Sequence, residues 1–164
     1  MPKAIADLHP VKVTRVPASA LPVTDDLREE LMKRGEAVWK VTLMGDAGWI
    51  KEVQRHELNS YATVVRCDKR DYGVFSLGPY VRKMPVTYHG EGIGNYRPPA
   101  SIVRYDVFLP EKGRYTSQAD FNATMPSYDL AKERLPLCLK IAGGAMHGAY
   151  GQSNEVRLEV GGTG

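Results

Sequence analysis

The sequence predicts a mainly β fold: a single-domain Greek-key-like barrel or two-sheet sandwich of about seven to nine strands, with two short helices. Three observations lead there. Residues 61–67, 72–77 and 80–88 are rich in Val, Thr, Tyr and Phe and are separated by Asp68-Lys69-Arg70-Asp71 and Gly78-Pro79, the pattern of strands broken by turns. Parallel neighbours would need crossovers of about a dozen residues or more, so these runs are expected to pair antiparallel in chain order. Val64, Phe75 or Val74, and Val86 should then share one core. Alternating apolar residues recur at 37–44, 101–109 and 156–160. Finally, residues 24–35 carry the clearest helix start and stop signals.

Taken in order, residues 1–23 contain Pro2, Pro10, Pro17 and Pro22. Proline fixes φ and donates no hydrogen bond, which excludes a helix or a central strand. An extended arm or edge-lying strand fits, with Val11 to Thr14 suited to a short strand, and the arm is expected to dock on a neighbouring subunit. The domain proper should span residues 24–160, with a flexible Gly tail at 161–164. In the first helix Thr24 suits the N-cap, Asp25 and Asp26 the positive first turn, Lys33 and Arg34 the negative last turn, and Gly35 the left-handed stop. Leu27 and Leu31 share its buried face.

Ala37, Trp39, Val41 and Leu43 face one side of the next strand and Lys40 and Thr42 the other. After the turn at 45–48, residues 49–55 are expected to return as a second strand, packing Trp49 near Trp39. Three glycines and two prolines make residues 89–100 a long irregular loop, a place where function or assembly contacts concentrate. A strong strand at 101–109 ends at Pro110. A short helix is expected at 126–134, a buried strand at 135–141, a second flexible loop at 143–151 and a last strand at 156–160.

At 164 residues, with 43% hydrophobic and 25% charged content, the chain can bury a core without staples and reads as a soluble globular protein. Its 22 basic and 19 acidic residues leave a formal charge of +3, a weaker bias than phosphate-neutralising proteins usually carry. Cys67 and Cys138 lie in apolar runs without C-x-x-C spacing, so both are expected to be reduced and buried. No basic region followed by an apolar stretch marks a signal peptide, and no run approaches roughly 18 apolar residues. The expected setting is cytoplasmic or virion-associated, with no membrane partner.

Signals for chemistry are sparse. Gly90 to Gly94 lacks both the dinucleotide fingerprint and the Gly-Lys-Ser/Thr of a phosphate loop. His9, His56, His89 and His147 show no helical metal-pair spacing, and no serine sits in a nucleophile elbow. The expectation is therefore no catalytic residue, no metal and no cofactor. The strongest pattern is cationic and aromatic: Arg70, Tyr72, Tyr80, Arg82, Lys83, Tyr88, Tyr96 and Arg97. Tyr and Arg are enriched at protein interfaces, and exposed aromatics flanked by Arg also stack nucleic-acid bases. Arg70 to Phe75 resembles part of the RNP1 pattern, but the βαββαβ order of that fold is missing. The reading is a non-catalytic structural or interaction subunit of a larger assembly, such as a phage or viral structural or accessory protein. Its partner would be another protein or copies of itself. The alternatives are a nucleic-acid-binding module on the Tyr/Arg sheet face, and an enzyme with His89 and His147 at a loop-lined pocket.

Overall fold

The structure, a computed structural model, describes residues 3–4, 7–23, 26–145 and 148–162. Its elements follow from β1 (Lys3–Ala4) and β2 (His9–Pro17) through the 3-10 turn Ala18–Ala20 to α1 (Asp26–Lys33). β3 (Ala37–Asp46), α2 (Gly48–His56), β4 (Asn59–Arg66), β5 (Tyr72–Val74), β6 (Leu77–Val81) and β7 (Met84–Pro85) come next. After a long loop come β8 (Ile102–Pro110), β9 (Lys112–Arg114), β10 (Thr116–Ser117), β11 (Ser127–Asp129), β12 (Arg134–Ala145), β13 (Gly148–Gln152) and β14 (Val156–Gly161).

These strands form two main sheets. One has the order β2-β3-β8-β6-β7. The other runs β1-β13-β12-β4-β5-β10, with β14 also paired to β12, and β9 and β11 make a separate ribbon. Val41, Leu43, Tyr105 and Val107 from the first sheet share one contiguous core with Val64, Leu137, Leu139, Ile141 and Leu158 from the second. Each such side chain contributes about 1.5–3 kcal/mol by leaving water. The result is the mainly β, sandwich-like domain; the sheets do not close into a barrel.

The proline-rich N-terminal segment is an edge strand over β2, paired to β3 from Lys12↔Thr42 to Pro17↔Ala37. A position at the edge leaves the missing donors of Pro10 and Pro17 without cost. α1 ends as its sequence dictates. Gly35 takes φ +65°, its N–H reaches Met32 O, and Glu36 N–H reaches Leu31 O, the two bonds of a Schellman stop. Thr24 and Asp25, the expected cap, lie outside the described residues. Leu31 packs with Ala18, Leu21, Val38, Tyr80 and Phe108 in a second, smaller core on the outer face of the first sheet.

Several expectations are corrected. Residues 49–55 form helix α2 rather than a strand. Trp49, Ile50 and Val53 are its buried residues, a helical spacing, and the Asp46 carboxylate accepts the Gly48 N–H at 2.6 Å to start the turn. Trp49 therefore does not pair with Trp39 across a hairpin. Its indole N–H goes to Ser60, while that of Trp39 goes to Glu111. A Cβ at Gly143 would lie 2.5 Å from the Trp49 ring, so only glycine lets β12 pass the indole.

The meander also breaks. β4 and β5 pair antiparallel through Val64↔Val74, but the chain then changes sheets, and β6 pairs with β8 and β7. Val64, Val74 and Val86 are buried in the common core as expected, whereas Phe75 is exposed. Residues 126–134 form β11 and a turn instead of a helix, because Asp129 accepts the Ala131 N–H and its carbonyl those of Lys132 and Glu133. The expected loop at 143–151 is largely the β12–β13 hairpin. Cys67 and Cys138 form a disulfide, with Cα atoms 5.2 Å apart. Arg66 pairs with Leu137 and Cys67 N–H bonds to Pro136 O, which sets the two cysteines diagonally on neighbouring strands. The expectation of two reduced, buried thiols is corrected: both sulfurs are in the disulfide, and Cys138 is buried while Cys67 is half-buried.

Candidate functional site

The outer face of the first sheet is divided. α1 and the 3-10 turn cover Val38, Tyr80 and Phe108. Beyond that cover the strand alternation gives the outer face a mixed set of side chains: Lys40, Thr42 and Met44 on β3 sit beside Asp106, Arg104 and Ile102 on β8, with Thr42 paired to Asp106 and Met44 to Arg104. A groove of about 530 Å³ lies there, closed at its sides by Arg82 and Lys83 of the β6–β7 turn and by Tyr96 and Pro99 of the long loop.

Its charge is lopsided. Lys40, Arg82, Lys83 and Arg104 line it, with Asp106 as the carboxylate. Asp106 is shared: Thr42 donates its hydroxyl at 3.2 Å, Lys40 Nζ lies at 3.9 Å and Arg104 Nε at 3.7 Å. Among the described residues Arg82 and Lys83 have no carboxylate partner. Their backbones are unusual. Arg82 has φ 49° and Lys83 φ 68°, and Val81 pairs with Met84 across them. This is a two-residue hairpin loop with both residues left-handed, the geometry for which Asn-Gly is the favoured pair.

The long loop that forms the far wall is held down. Gln54 of α2 donates to the carbonyls of Ile93 and Tyr96 at 2.8 and 2.6 Å, and Ile93 is fully buried. The Gly-rich loop is thus a wall and not a slack segment, and it keeps Tyr96 half-buried at the groove. Arg97, exposed, follows directly between Tyr96 and Pro99.

The eight expected binding residues separate. Arg82, Lys83 and Tyr96 come together, with Arg97 adjacent in sequence. Tyr88 is half-buried near the same loop, its ring edge-on to His89. Tyr80 is only 5% exposed and belongs to the small core against Phe108. Arg70 and Tyr72 lie elsewhere, by the disulfide. Arg70 makes two 2.7 Å bonds to Glu155 and approaches Cys138 Sγ at 3.8 Å. Tyr72 packs on Tyr115 beneath Lys69. Lys40 was missing from the expected set, although its place on the polar side of β3 was legible in the alternation.

A second cleft of about 540 Å³ is lined by Glu57, Asn59, Tyr61 and His89 and by Gly144, Ala145, Gly148 and Ala149. His89 and the β12–β13 hairpin do meet there; His147 lies outside the described residues. Among the described residues no three His, Cys, Asp or Glu side chains are grouped to hold a metal ion. No helix there is long and apolar enough to cross a membrane. Comparison with known proteins finds no matching family model, no matching curated protein and no matching solved structure.

Proposed function

We propose that the protein is a non-catalytic interaction subunit of a larger assembly, of the kind phage and viral structural or accessory proteins form, and that its basic groove receives an acidic surface of a neighbouring protein. The observation that carries this reading is the Arg82-Lys83 turn. Residues other than glycine held in the left-handed region cost on the order of 1 kcal/mol or more each. A turn chosen for stability alone would use Asn-Gly. This one instead sets two cations, free of carboxylate partners among the described residues, at the mouth of a groove that Lys40 and Arg104 already make positive. The backbone that carries these cations is fixed on strands and a tight turn, so docking of an anionic partner orders side chains but no loop.

A second reading, single-stranded nucleic acid, is favoured by Tyr96 at the same groove, since an aromatic beside cations is a stacking platform. Titration of the full chain with a poly-glutamate peptide and with a single-stranded oligonucleotide, each across a salt series, tests both. Binding of the acidic peptide that weakens with salt and falls at least tenfold in Arg82→Ala/Lys83→Ala is the expected result. Tight oligonucleotide binding that Tyr96→Ala abolishes would replace the first reading by the second. No binding to either ligand, or binding indifferent to Arg82 and Lys83, removes the groove from the function.

A further inference from the structure

Of the four asparagines in the chain, only Asn122 is followed by a residue other than proline and then by a hydroxyl, in Asn122-Ala123-Thr124. This is the acceptor triplet for an N-linked glycan. So short a triplet also arises by chance, and its place in the fold decides whether it can serve. Residues 121–124 are all exposed, in the loop between β10 and β11. Neither the Asn122 carboxamide nor the Thr124 hydroxyl makes a side-chain hydrogen bond among the described residues. Both groups of the triplet are therefore free for a transferase, and a bulky sugar on Asn122 displaces no packed side chain.

The loop is braced from below. The Asp71 carboxylate accepts the Ser117 hydroxyl at 2.9 Å and the Ala119 N–H at 2.7 Å. Ser117 Oγ in turn accepts the Asp120 N–H at 2.9 Å, and Asp120 Oδ1 accepts the Asn122 N–H at 3.0 Å. On this fixed tip Phe121 is 92% exposed, the most open large apolar side chain among the described residues. A ring left in water forgoes its burial, but its negative face suits the C–H face of a sugar ring. A sugar on Asn122 Nδ2 is attached one residue away, so a covalent bond delivers that partner to the ring. A separate observation points the same way. Cys67 and Cys138 are joined, and disulfides form and persist in the oxidising compartments that secreted chains pass through, where N-glycans are also attached.

We propose that Asn122 is an N-glycosylation site and that the first sugar covers Phe121. In the transfer, Asn122 Nδ2 attacks C1 of a sugar carried on a polyprenyl diphosphate donor. The C1–Nδ2 bond forms as the C1–O bond breaks, and the electron pair of the broken bond leaves with the diphosphate. The proton lost from Nδ2 passes to a base of the transferase, and nothing is oxidised or reduced. The inference goes beyond the assembly reading and does not use the basic groove, so either can fall without the other.

The test is secretion of the full chain from a eukaryotic host behind a cleavable leader, followed by intact mass measurement and peptide mapping. Wild type should carry a single glycan, at Asn122, released by an amide-cleaving N-glycosidase that leaves an aspartate in its place. Asn122→Gln and Thr124→Ala should carry none, and Thr124→Ser should keep it. All three should melt like the unglycosylated wild type, since both positions are exposed. If secretion yields no folded protein, translation into microsomes reads the same mass shift. For Phe121, the C–H protons of the first sugar should be shifted upfield in the NMR spectrum by the aromatic ring. Phe121→Ala should remove that shift while Asn122 stays glycosylated. An unglycosylated wild type overturns the proposal, as does a glycan that survives Asn122→Gln. Sugar resonances indifferent to Phe121→Ala overturn the cover assigned to the ring.

Discussion

Near the disulfide, Arg70 spans both oxygens of Glu155 and Arg66 spans both oxygens of Asp68 at 2.9 and 2.6 Å. Tyr72, Tyr115 and Tyr128 stack in sequence beside them, with centroids 4.9 and 5.2 Å apart. At the groove, Arg82 and Lys83 stand on a left-handed turn with no carboxylate partner among the described residues, and half-buried Tyr96 lines the groove while packing partly on the core. The two regions use the same residue types. In the first, each arginine is bidentate to an acid and the tyrosine rings pack on one another, so the charges are already paired within the chain, at positions open in part to solvent where such pairs add little to stability. In the second, the proposed acidic partner would supply the missing charge. A Tyr/Arg-rich composition identifies neither role; the partner already present does.

The comparison breaks first at Tyr128. It is buried between the β9–β11 ribbon and the core, with its hydroxyl on Pro110 O, and a Cβ at Gly113 would meet that hydroxyl at 2.9 Å. Tyr128→Ala should cost about 3–5 kcal/mol in denaturant unfolding, as other large aromatic truncations in cores do. Half-buried Tyr96, changed to Ala, should cost at most about 1 kcal/mol. Equal losses at the two positions would mean that the groove end is as structural as the stacked end.

Reducing the disulfide is the next largest effect. It closes a loop of 71 residues in sequence separation, and its loss should lower stability by about 2–4 kcal/mol. Unfolding curves with and without reductant read this directly, and acidic-peptide affinity measured on the folded reduced protein should not change.

Why one region was legible and the other was not is a matter of range. The helix at residues 26–33 and the strands at 37–46, 102–110 and 156–161 are written in short-range periodicity and caps, and they formed as expected. α2 was misread because Trp49, Ile50 and Val53 suit a strand as well as a helix until the Asp46 carboxylate is seen accepting the Gly48 N–H. The disulfide, the Arg70–Glu155 clamp and the Tyr115–Tyr128 stack depend on which distant strands become neighbours. Eighty-five residues separate Arg70 from Glu155, and no local pattern encodes that meeting. The Arg82-Lys83 turn failed to announce itself for a different reason: nothing in it is Gly, Asn or Asp, so turn chemistry pointed past it to an unbroken strand over 80–88.

Acid sharpens the contrast by a smaller step. Hydrogen bonds from Arg70 hold Glu155 below its ordinary value of 4.5, and those from Arg66 hold Asp68 below 3.8. Asp71 is lowered by the Ala119 N–H and the Ser117 hydroxyl. A lowered folded value means that the stabilisation is complete above the ordinary value and is lost as pH falls through the lowered one. Stability should thus stay level toward pH 5 and decline below it. Glu155→Gln should shrink that acid decline in urea midpoints measured across pH, whereas Arg82→Ala/Lys83→Ala should leave it unchanged.

The smallest effect on stability has the opposite sign, and it is the sharpest test of the difference between the two regions. Substituting Arg82→Asn together with Lys83→Gly installs the pair that a two-residue, doubly left-handed hairpin prefers. The backbone keeps its shape, because Val81 still pairs with Met84, and no ion pair is lost among the described residues. Relief of left-handed strain should raise stability by roughly 0.5–1 kcal/mol. The same change removes two of the four cations lining the groove, so acidic-peptide binding should weaken and its salt dependence flatten. Arg70→Ala, by contrast, frees Glu155 and uncovers Cys138, and should lower stability with no effect on the peptide. A double substitution at 82 and 83 that destabilises the fold would show these cations to be structural after all, and the two regions would then differ in partner but not in purpose.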